Sequence, residues 1–567
     1  MAINTCVHRN FKVEPTAPPE PIDFIMSSNA LNHHNFADTQ GRTSPAVHDA
    51  LYQLPKHIFI TNENGIRTVH MSGTLSRDTE KMSLASSTAH VPPLLPESFG
   101  DPVFKKAHGL RYPLVAGAMA NGITSTDMVE EMGLSGMLGF FGAGGLSLDQ
   151  IEVAIDRLQS VMAEYPFGFN LIHSPYDPSL EEATVDLYLR RGIHRVSAAA
   201  FLDLTLPLVR YRLTGIYRDE NGHVVCPNQV IAKVSRTEVA RKFLSPPPKK
   251  IVSALFEKNL ITPEEAQLAA SVPVADDLTA EADSGGHTDN RPALALLPTM
   301  LALRDEMSEQ YQYHRPVCVG LGGGIATPAS VAAAFSMGAA YVLTGSINQS
   351  CIESDTSDTV RKMLADAGQA DVTMAPSADM FEMGVKVQVL KRGTMFPQRA
   401  AKLHDLYSRY ASLEDLPPAE RQMLERNYFK KDIGAEWEQT QQFFRSRDPI
   451  QLSKAASDPR HKMALLFRSY LGQSSLWAKN GVPDRVIDYQ IWCGPAIGAF
   501  NEWVRGSFLE KPENRRVVTI SMNLLVGAAV LTRRSWLSAQ GVFLSPEEGR
   551  FQPLEMPQLL NMCGKRH

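Results

Sequence analysis

Asp283-Ser284-Gly285-Gly286-His287, Gly322-Gly323-Gly324-Ile325 and Thr344-Gly345-Ser346 each stand where a short apolar run ends. Those runs, Asp277 to Ala282, Val317 to Leu321 and Ala340 to Thr344, are the last three of eight. The earlier five are Leu114 to Met119, Gly136 to Phe141, Phe167 to Ile172, Arg195 to Ala200 and Val230 to Val234. Helical patterns alternate with them. Ser125 to Met132 opens on Ser/Thr caps, and Ser147 to Met162 places Leu148, Ile151, Ile155, Leu158 and Met162 on one face. Leu180 to Arg191, Ala293 to Met307 and Pro328 to Met337 continue the alternation. Eight β-then-α units in succession predict an α/β fold, a parallel TIM (β/α)8 barrel.

The barrel is expected over residues 96–350. Between strands 5 and 6 the connection is too long for one helix, and Pro246-Pro-Pro-Lys-Lys250 interrupts it. Residues 246–275 therefore read as an insertion at the barrel rim, carrying a helical pair over Ile251 to Asn259 and Pro263 to Ala270. Residues 1–95 form a polar N-terminal extension, Pro-rich at Pro15 to Pro21, expected to be partly mobile and partly wrapped around the barrel mouth. Residues 351–567 lose the alternation and read as a mainly helical C-terminal appendage, a lid or a docking domain.

Loops at the C-terminal ends of barrel strands build the active site in this fold, and those after strands 7 and 8 commonly grip a phosphate. Gly322, Gly323 and Gly324, followed by Thr327-Pro328 opening a helix, and Gly345 with Ser346 fit such a grip. Gly285 and Gly286 let backbone approach a flat ligand, and His287 beside them can move a proton near neutral pH. The combination predicts an FMN site with a catalytic histidine over the ring. Neither G-x-G-x-x-G between a first strand and helix nor G-x-x-x-x-G-K-[ST] is present.

Other strand ends add candidates. Gly117, Ala118 and Met119 close strand 1 and Asn121 follows it, as backbone contacts to a flavin edge. Asn170 ends strand 3, where a polar amide reads as a site residue, although an Asn can also serve a loop backbone. Lys233 lies within strand 5; it either meets the negative charge of a reduced flavin near N1 or faces outward between helices. Ser284 completes the cofactor set. Gly145, with Gly142 and Gly144, belongs to the second βα loop and is a possible neighbour of substrate or nicotinamide.

The bulk properties fit a globular enzyme and little else. The 567 residues are 44% hydrophobic and 21% charged, with net charge −5 and pI near 6.4, which gives no reason to expect nucleic acid or an anionic membrane as partner. The six cysteines are scattered without zinc spacing, so no metal is expected. The start has no apolar core of signal-peptide length, and Ile520 to Leu531 is too short to span a bilayer and carries Asn523. A cytoplasmic protein with reduced thiols is the expectation.

With these residues assembled, the chain resembles the nitronate monooxygenase and flavin enoyl reductase superfamily over about 112–350. Leu114 to Met119, Phe167 to Leu171, Ser284 to His287, Gly322 to Ile325 and Gly345-Ser346 carry that likeness. Over a longer span it resembles the PfaD family, the stand-alone, trans-acting enoyl reductases of polyunsaturated fatty acid and polyketide synthases. Phe140-Phe-Gly-Ala-Gly-Gly-Leu-Ser147, Phe381 to Pro397 and Tyr489 to Trp503 carry this narrower likeness, outside the generic barrel motifs. Ser284 stands where the wider superfamily most often has alanine. The resemblance implies FMN, NADPH as reductant, and an enoyl thioester on an acyl carrier protein as substrate. It also directs attention to the basic residues Lys386, Lys391, Arg392, Arg399 and Lys402, which read either as a solvated helix face or as a dock for an acidic carrier protein. Related barrels are often homodimers, which leaves that state open here. The rival expectations are a nitronate monooxygenase-type flavin oxidase and a non-catalytic scaffold of a synthase complex.

Overall fold

The computed structural model describes residues 47–63, 66–72, 87–173 and 178–565. The Pro-rich stretch and the mobility expected there lie outside the described residues. The eight strands form one closed parallel barrel in sequential order. They are β1 Leu114–Ala116, β2 Leu138–Phe141, β3 Phe167–Ile172, β4 Arg195–Ala199, β5 Gln229–Val234, β6 Asp277–Glu281, β7 Cys318–Gly322 and β8 Val342–Thr344. The ring closes where Thr344 of β8 pairs with Ala116 of β1.

Side chains fill the barrel. Phe104 stacks on Tyr341 with ring centroids 4.0 Å apart, and Val115, Leu138, Phe140, Ile231 and Leu343 pack around them. Glycine is required in this layer: a β-carbon on Gly168 would lie 2.5 Å from the Phe140 ring, and one on Gly320 2.4 Å from the Tyr341 ring. The helix Pro102–His108 plugs the N-terminal end, where His108 and Arg315 both bind the fully buried Asp277 at 2.7 and 2.8 Å. Everything below the C-terminal rim is thereby closed, so a ligand can enter only from the other end.

Outside, the predicted helices form with the expected caps. Ser147 and Gln150 close a capping box at the start of Leu148–Val161, which buries Ile151, Ala154, Ile155 and Leu158. The insertion holds the helices Lys249–Glu257 and Pro263–Leu268; it leads from the helix Thr237–Leu244 back to the start of β6, so it lies at the closed end of the barrel.

The N-terminal extension departs from expectation. Its described strands, His57–Glu63, Ile66–Ser72 and Ser87–Val91, form an antiparallel sheet packed against the helix Val517–Ala539, and none of its described residues borders the barrel mouth. Arg533 of that helix is buried and donates to the carbonyls of Leu51, Gln53 and Lys56, satisfying the end of the helix Val47–Tyr52.

Residues after the barrel split into two parts. One is a cap with its own core, including Phe381, Phe396, Leu403, Leu424, Tyr428, Phe467 and Tyr470. It begins with the antiparallel pair β9 Val372–Pro376 and β10 Lys386–Leu390, continues through the helix Phe396–Arg409, and ends with the long helix Pro459–Asn480. The other part returns to the barrel wall as the helices Ala496–Val504, Val517–Ala539 and Met556–Met562. Val517–Ala539 is, by length and composition, apolar enough to cross a membrane, which the run Ile520 to Leu531 alone did not suggest; 78% of its apolar window is buried within the fold. It lies so close to the helix Pro328–Ser336 that a β-carbon on Gly527 would sit 2.7 Å from Pro328. Asn523 is satisfied by the carbonyls of Thr519 and Leu554 and by the Leu554 N–H.

Candidate active site

A cavity of about 950 Å³ opens at the C-terminal ends of the strands. That is near the top of the usual range for one drug-sized ligand, so a cofactor and part of a second ligand fit together. All fourteen predicted cofactor residues border it: Gly117, Ala118, Met119, Asn121, Asn170, Lys233, Ser284, Gly285, Gly286, Gly322, Gly323, Gly324, Gly345 and Ser346. His287 borders it as well.

The loops after β1 and β2 are zipped together. Asn121 N–H donates to Gly144 O at 2.7 Å, and Gly122 N–H to Gly142 O at 2.8 Å. A β-carbon on Gly142 would lie 1.8 Å from Met119 O, which explains the glycine-rich run after Phe141. Asn170 is buried and accepts the Gly144 N–H through Oδ1 at 3.2 Å, so it serves this loop backbone while bordering the cavity.

At the opposite wall, Gly324 has φ +73°, and a β-carbon there, or on Gly345, would meet nothing within 4 Å. No hydrogen bond from either N–H occurs among the described residues. The next helix is meanwhile capped by its own Thr327 and Ser330. Two glycines that border open cavity with unclaimed donors, just before a helix N-terminus, match the needs of a phosphate monoester. The residues present fit FMN.

Lys233 points into the cavity, but its ammonium lies 2.7 Å from Glu281 Oε1, and Ser284 Oγ donates to the same oxygen at 2.9 Å. The lysine is therefore a member of a neutral pair on the cavity wall. Glu281 was missed in the sequence, although it ends a barrel strand and Asn170 was picked near the end of another.

His287 sits in a two-residue strand, Gly286–His287, paired antiparallel with β10 at Gln388 and Val387. The Gln388 amide donates to Asp283 Oδ1 at 2.7 Å and Ser284 O at 2.8 Å. Asp379 Oδ1 lies 3.3 Å from His287 Nε2, an ion-pair contact whose alignment falls short of a full hydrogen bond. Burial disfavours the imidazolium, but Asp379 and Glu281 outweigh it, and the ring titrates above its ordinary range. Partial desolvation opposes ionisation of Asp379, yet His287 holds its carboxyl below the usual range.

Two further pieces complete the walls. The strap Trp492 to Pro495 runs against the histidine loop: a β-carbon on Gly285 would lie 2.6 Å from Cys493 Cα, and Gly494 N–H donates to Ser346 Oγ at 2.9 Å. Burial pushes the Cys493 thiol up to about 12, so it is a packing group. From above, the cap helix Pro459–Asn480 reaches the β1 loop, with Asn121 Nδ2 donating to Ser475 Oγ at 3.1 Å and Lys479 Nζ to Asn121 O at 2.6 Å. Phe443, Phe444 and Leu476 of the cap face Phe201 and Leu202 of the barrel around the same cavity.

The five basic residues after strand 8 do not form one face; among them only Lys391 and Arg392 stand together and exposed. Lys386 borders the cavity; Lys391 and Arg392 lie at the other end of β10, about 16 Å away at ~3.3 Å per residue. Arg392 is 58% exposed and reaches Asp371 at 3.4 Å. Arg399 is committed to the buried Asp488 and lies over the Tyr428 ring, and Lys402 pairs with Glu420 at 2.7 Å.

Comparison with known proteins agrees with this arrangement. The family model described as nitronate monooxygenase matches residues 101–415, and that of the inserted helical domain of [acyl-carrier-protein] S-malonyltransferase matches 410–489, the greater part of the cap. A polyunsaturated fatty acid synthase component from Thraustochytrium sp. (strain ATCC 26185 / S-3) is 45% identical over 469 residues, covering 82% of this chain and 31% of that protein. Polyketide biosynthesis protein PksE of Bacillus subtilis (strain 168) is 47% identical over 436 residues, covering 77% of this chain and 56% of PksE. The chain thus spans about a third and about half the length of these two relatives. The crystal structure of the enoyl reductase domain of MlnA, from the macrolactin biosynthesis cluster of Bacillus amyloliquefaciens, superposes with a TM-score of 0.74 at 39% identity, covering 78% of this chain and 99% of that one. The glycine cradle and the histidine loop lie within the matched span, and the chain belongs to the nitronate monooxygenase-like superfamily of flavin-dependent oxidoreductases, among the PfaD-like enoyl reductases.

Proposed function

We propose that this protein is a trans-acting, FMN-dependent enoyl reductase that uses NADPH to saturate the α,β double bond of an enoyl thioester presented by an acyl carrier protein, in polyketide or polyunsaturated fatty acid biosynthesis. The observation that carries the reading is the placement of His287 in one cavity with the glycines Gly286, Gly324 and Gly345, which leave room for a flat, phosphorylated cofactor. When bound in the glycine cradle, FMN would supply hydride chemistry, with NADPH as the source of electrons.

The chain's own groups supply the rest. Hydride addition at the β-carbon places negative charge on the thioester oxygen, and His287 in its cationic form is a donor suited to stabilise that charge or to deliver the proton to the α-carbon. Addition of one hydride and one proton balances the reduction. The Lys233–Glu281 pair would set a fixed dipole on the cavity wall without adding net charge. Phe201, Leu202, Phe443, Phe444 and Leu476 offer apolar surface for an acyl chain and exclude water. The cap's likeness to an inserted domain of a carrier-protein transferase supports a carrier-bound substrate. The five described cysteines are free thiols, in keeping with the reducing cytoplasm.

The experiment is a purified-protein assay of NADPH oxidation with an enoyl-carrier substrate, with the saturated thioester identified by mass. Consumption of a nitroalkane with oxygen, and no enoyl reduction, would favour the oxidase instead. Protein that takes up no flavin would favour a scaffold.

A further inference from the structure

The histidine loop is fixed from outside the barrel. Gly286 and His287 pair with β10, and the Gln388 amide bonds Asp283 and Ser284, so the loop backbone has a defined place. These contacts do not orient the imidazole. The ring nitrogen Nε2 is shielded from solvent, and the only carboxylate within 4 Å of it among the described residues is Asp379. Asp379 leaves β9 on a turn braced by the same strand pair: Ser377 N–H donates to Val385 O, and Gly384 at φ +69° closes the turn back into β10. One two-stranded ribbon therefore carries the partner of the histidine and holds the histidine loop.

Resting on the reading of His287 as the donor, we propose that Asp379 is the positioning residue of this site: its carboxylate fixes the His287 ring and keeps it the proton-carrying form during turnover. The charged groups around the imidazole are few. Asp379 and Glu281 favour its cation, and Lys233, paired to Glu281, opposes it. Lys386 lies next to the strand partner Val387, while Arg236 is held by Asp289 and Arg468 by Glu382. The net direction is upward, so the cation persists to higher pH than in a free histidine, whose ordinary pKa is about 6.5. A donor that must be protonated loses activity as pH rises through its pKa. Removing Asp379 lowers that pKa and moves the alkaline fall in rate to lower pH.

Asp379 is 53% exposed, so Asp379→Asn keeps the shape without threatening the fold. The test follows the His287 ring Cε1–H resonance by NMR in the full chain, assigned by its loss in His287→Gln, together with the pH dependence of kcat. In Asp379→Asn the ring should titrate at lower pH than in the parent, with the alkaline limb of kcat shifted alike. Turnover should fall roughly ten- to hundredfold, a part of the ~10²–10⁴ that a general acid contributes. Flavin content should stay unchanged, and Asp379→Glu should recover much of the titration. An identical His287 titration in parent and Asp379→Asn overturns the assignment, whatever the turnover. A shifted titration in a parent that reduces no enoyl thioester supports the pairing and sinks the proposed reaction instead.

Discussion

The cavity has two walls of different construction. The barrel wall is mostly backbone: Gly117, Gly286, Gly324 and Gly345 border it where side chains would intrude, and the loops after β1 and β2 are zipped by main-chain hydrogen bonds. The outer wall is side chain, from Asp379, Trp492, Phe443, Ser475 and Leu476, brought to the rim by a cap with a separate core. On the proposed reading, the first wall takes the flavin, and the second, which a plain barrel lacks, sets substrate choice and tunes His287.

The sharpest way to break this comparison is to fill the backbone wall. A β-carbon on Gly345 would enter open cavity, with nothing within 4 Å of it. Gly345→Val should purify folded, with a melting temperature within a few degrees of the parent, and with flavin content reduced at least about tenfold because backbone–phosphate contact requires close approach. A yellow Gly345→Val protein at full loading would place the phosphate elsewhere. Next in size, His287→Ala should retain flavin and lose roughly 10²–10⁴-fold in enoyl reduction. Unchanged turnover would make the histidine a structural residue.

A third change separates the two walls by charge. Glu281→Gln leaves Lys233 without its carboxylate, so reduced, anionic flavin gains a neighbouring cation and the two-electron potential should rise; ~30 mV corresponds to about 1.4 kcal/mol. Lys233→Met should move the potential the other way. A redox titration giving one potential for all three proteins would show the pair to be remote from the ring. The smallest effect belongs to the surface. Charge reversal at Lys391 and Arg392 should slow use of carrier-bound substrate most at low salt and leave a small soluble thioester unaffected. Equal losses on both substrates would place these residues in folding rather than docking.

The backbone wall was legible in the sequence because its signals are local. Glycines after an apolar run, at the C-terminal end of a barrel strand, need no tertiary information. Strand ends were less so. β1 stops at Ala116 rather than Met119 because Thr124 Oγ1 donates to Gly117 O and accepts the Met119 N–H, ending the ladder. β8 starts at Val342, where its pairing with β1 begins, while the Ala340 carbonyl accepts from Asp101 beneath the barrel. The side-chain wall had no local signal. Asp379 meets His287 across 92 positions of chain only through the pairing of β10, and nothing in its own neighbourhood distinguishes it from a surface aspartate. Arg399 shows the converse: a basic residue that read as surface is held inside the cap by Asp488.

The most direct test of the central claim is the absorbance of the purified protein under anaerobic conditions. NADPH should bleach a flavin spectrum that is released as FMN, and an enoyl-carrier thioester added afterwards, without oxygen, should restore the oxidised spectrum while yielding the saturated acyl chain. A spectrum that NADPH bleaches but the enoyl thioester leaves reduced, or a protein that binds no FMN after reconstitution, would contradict the account.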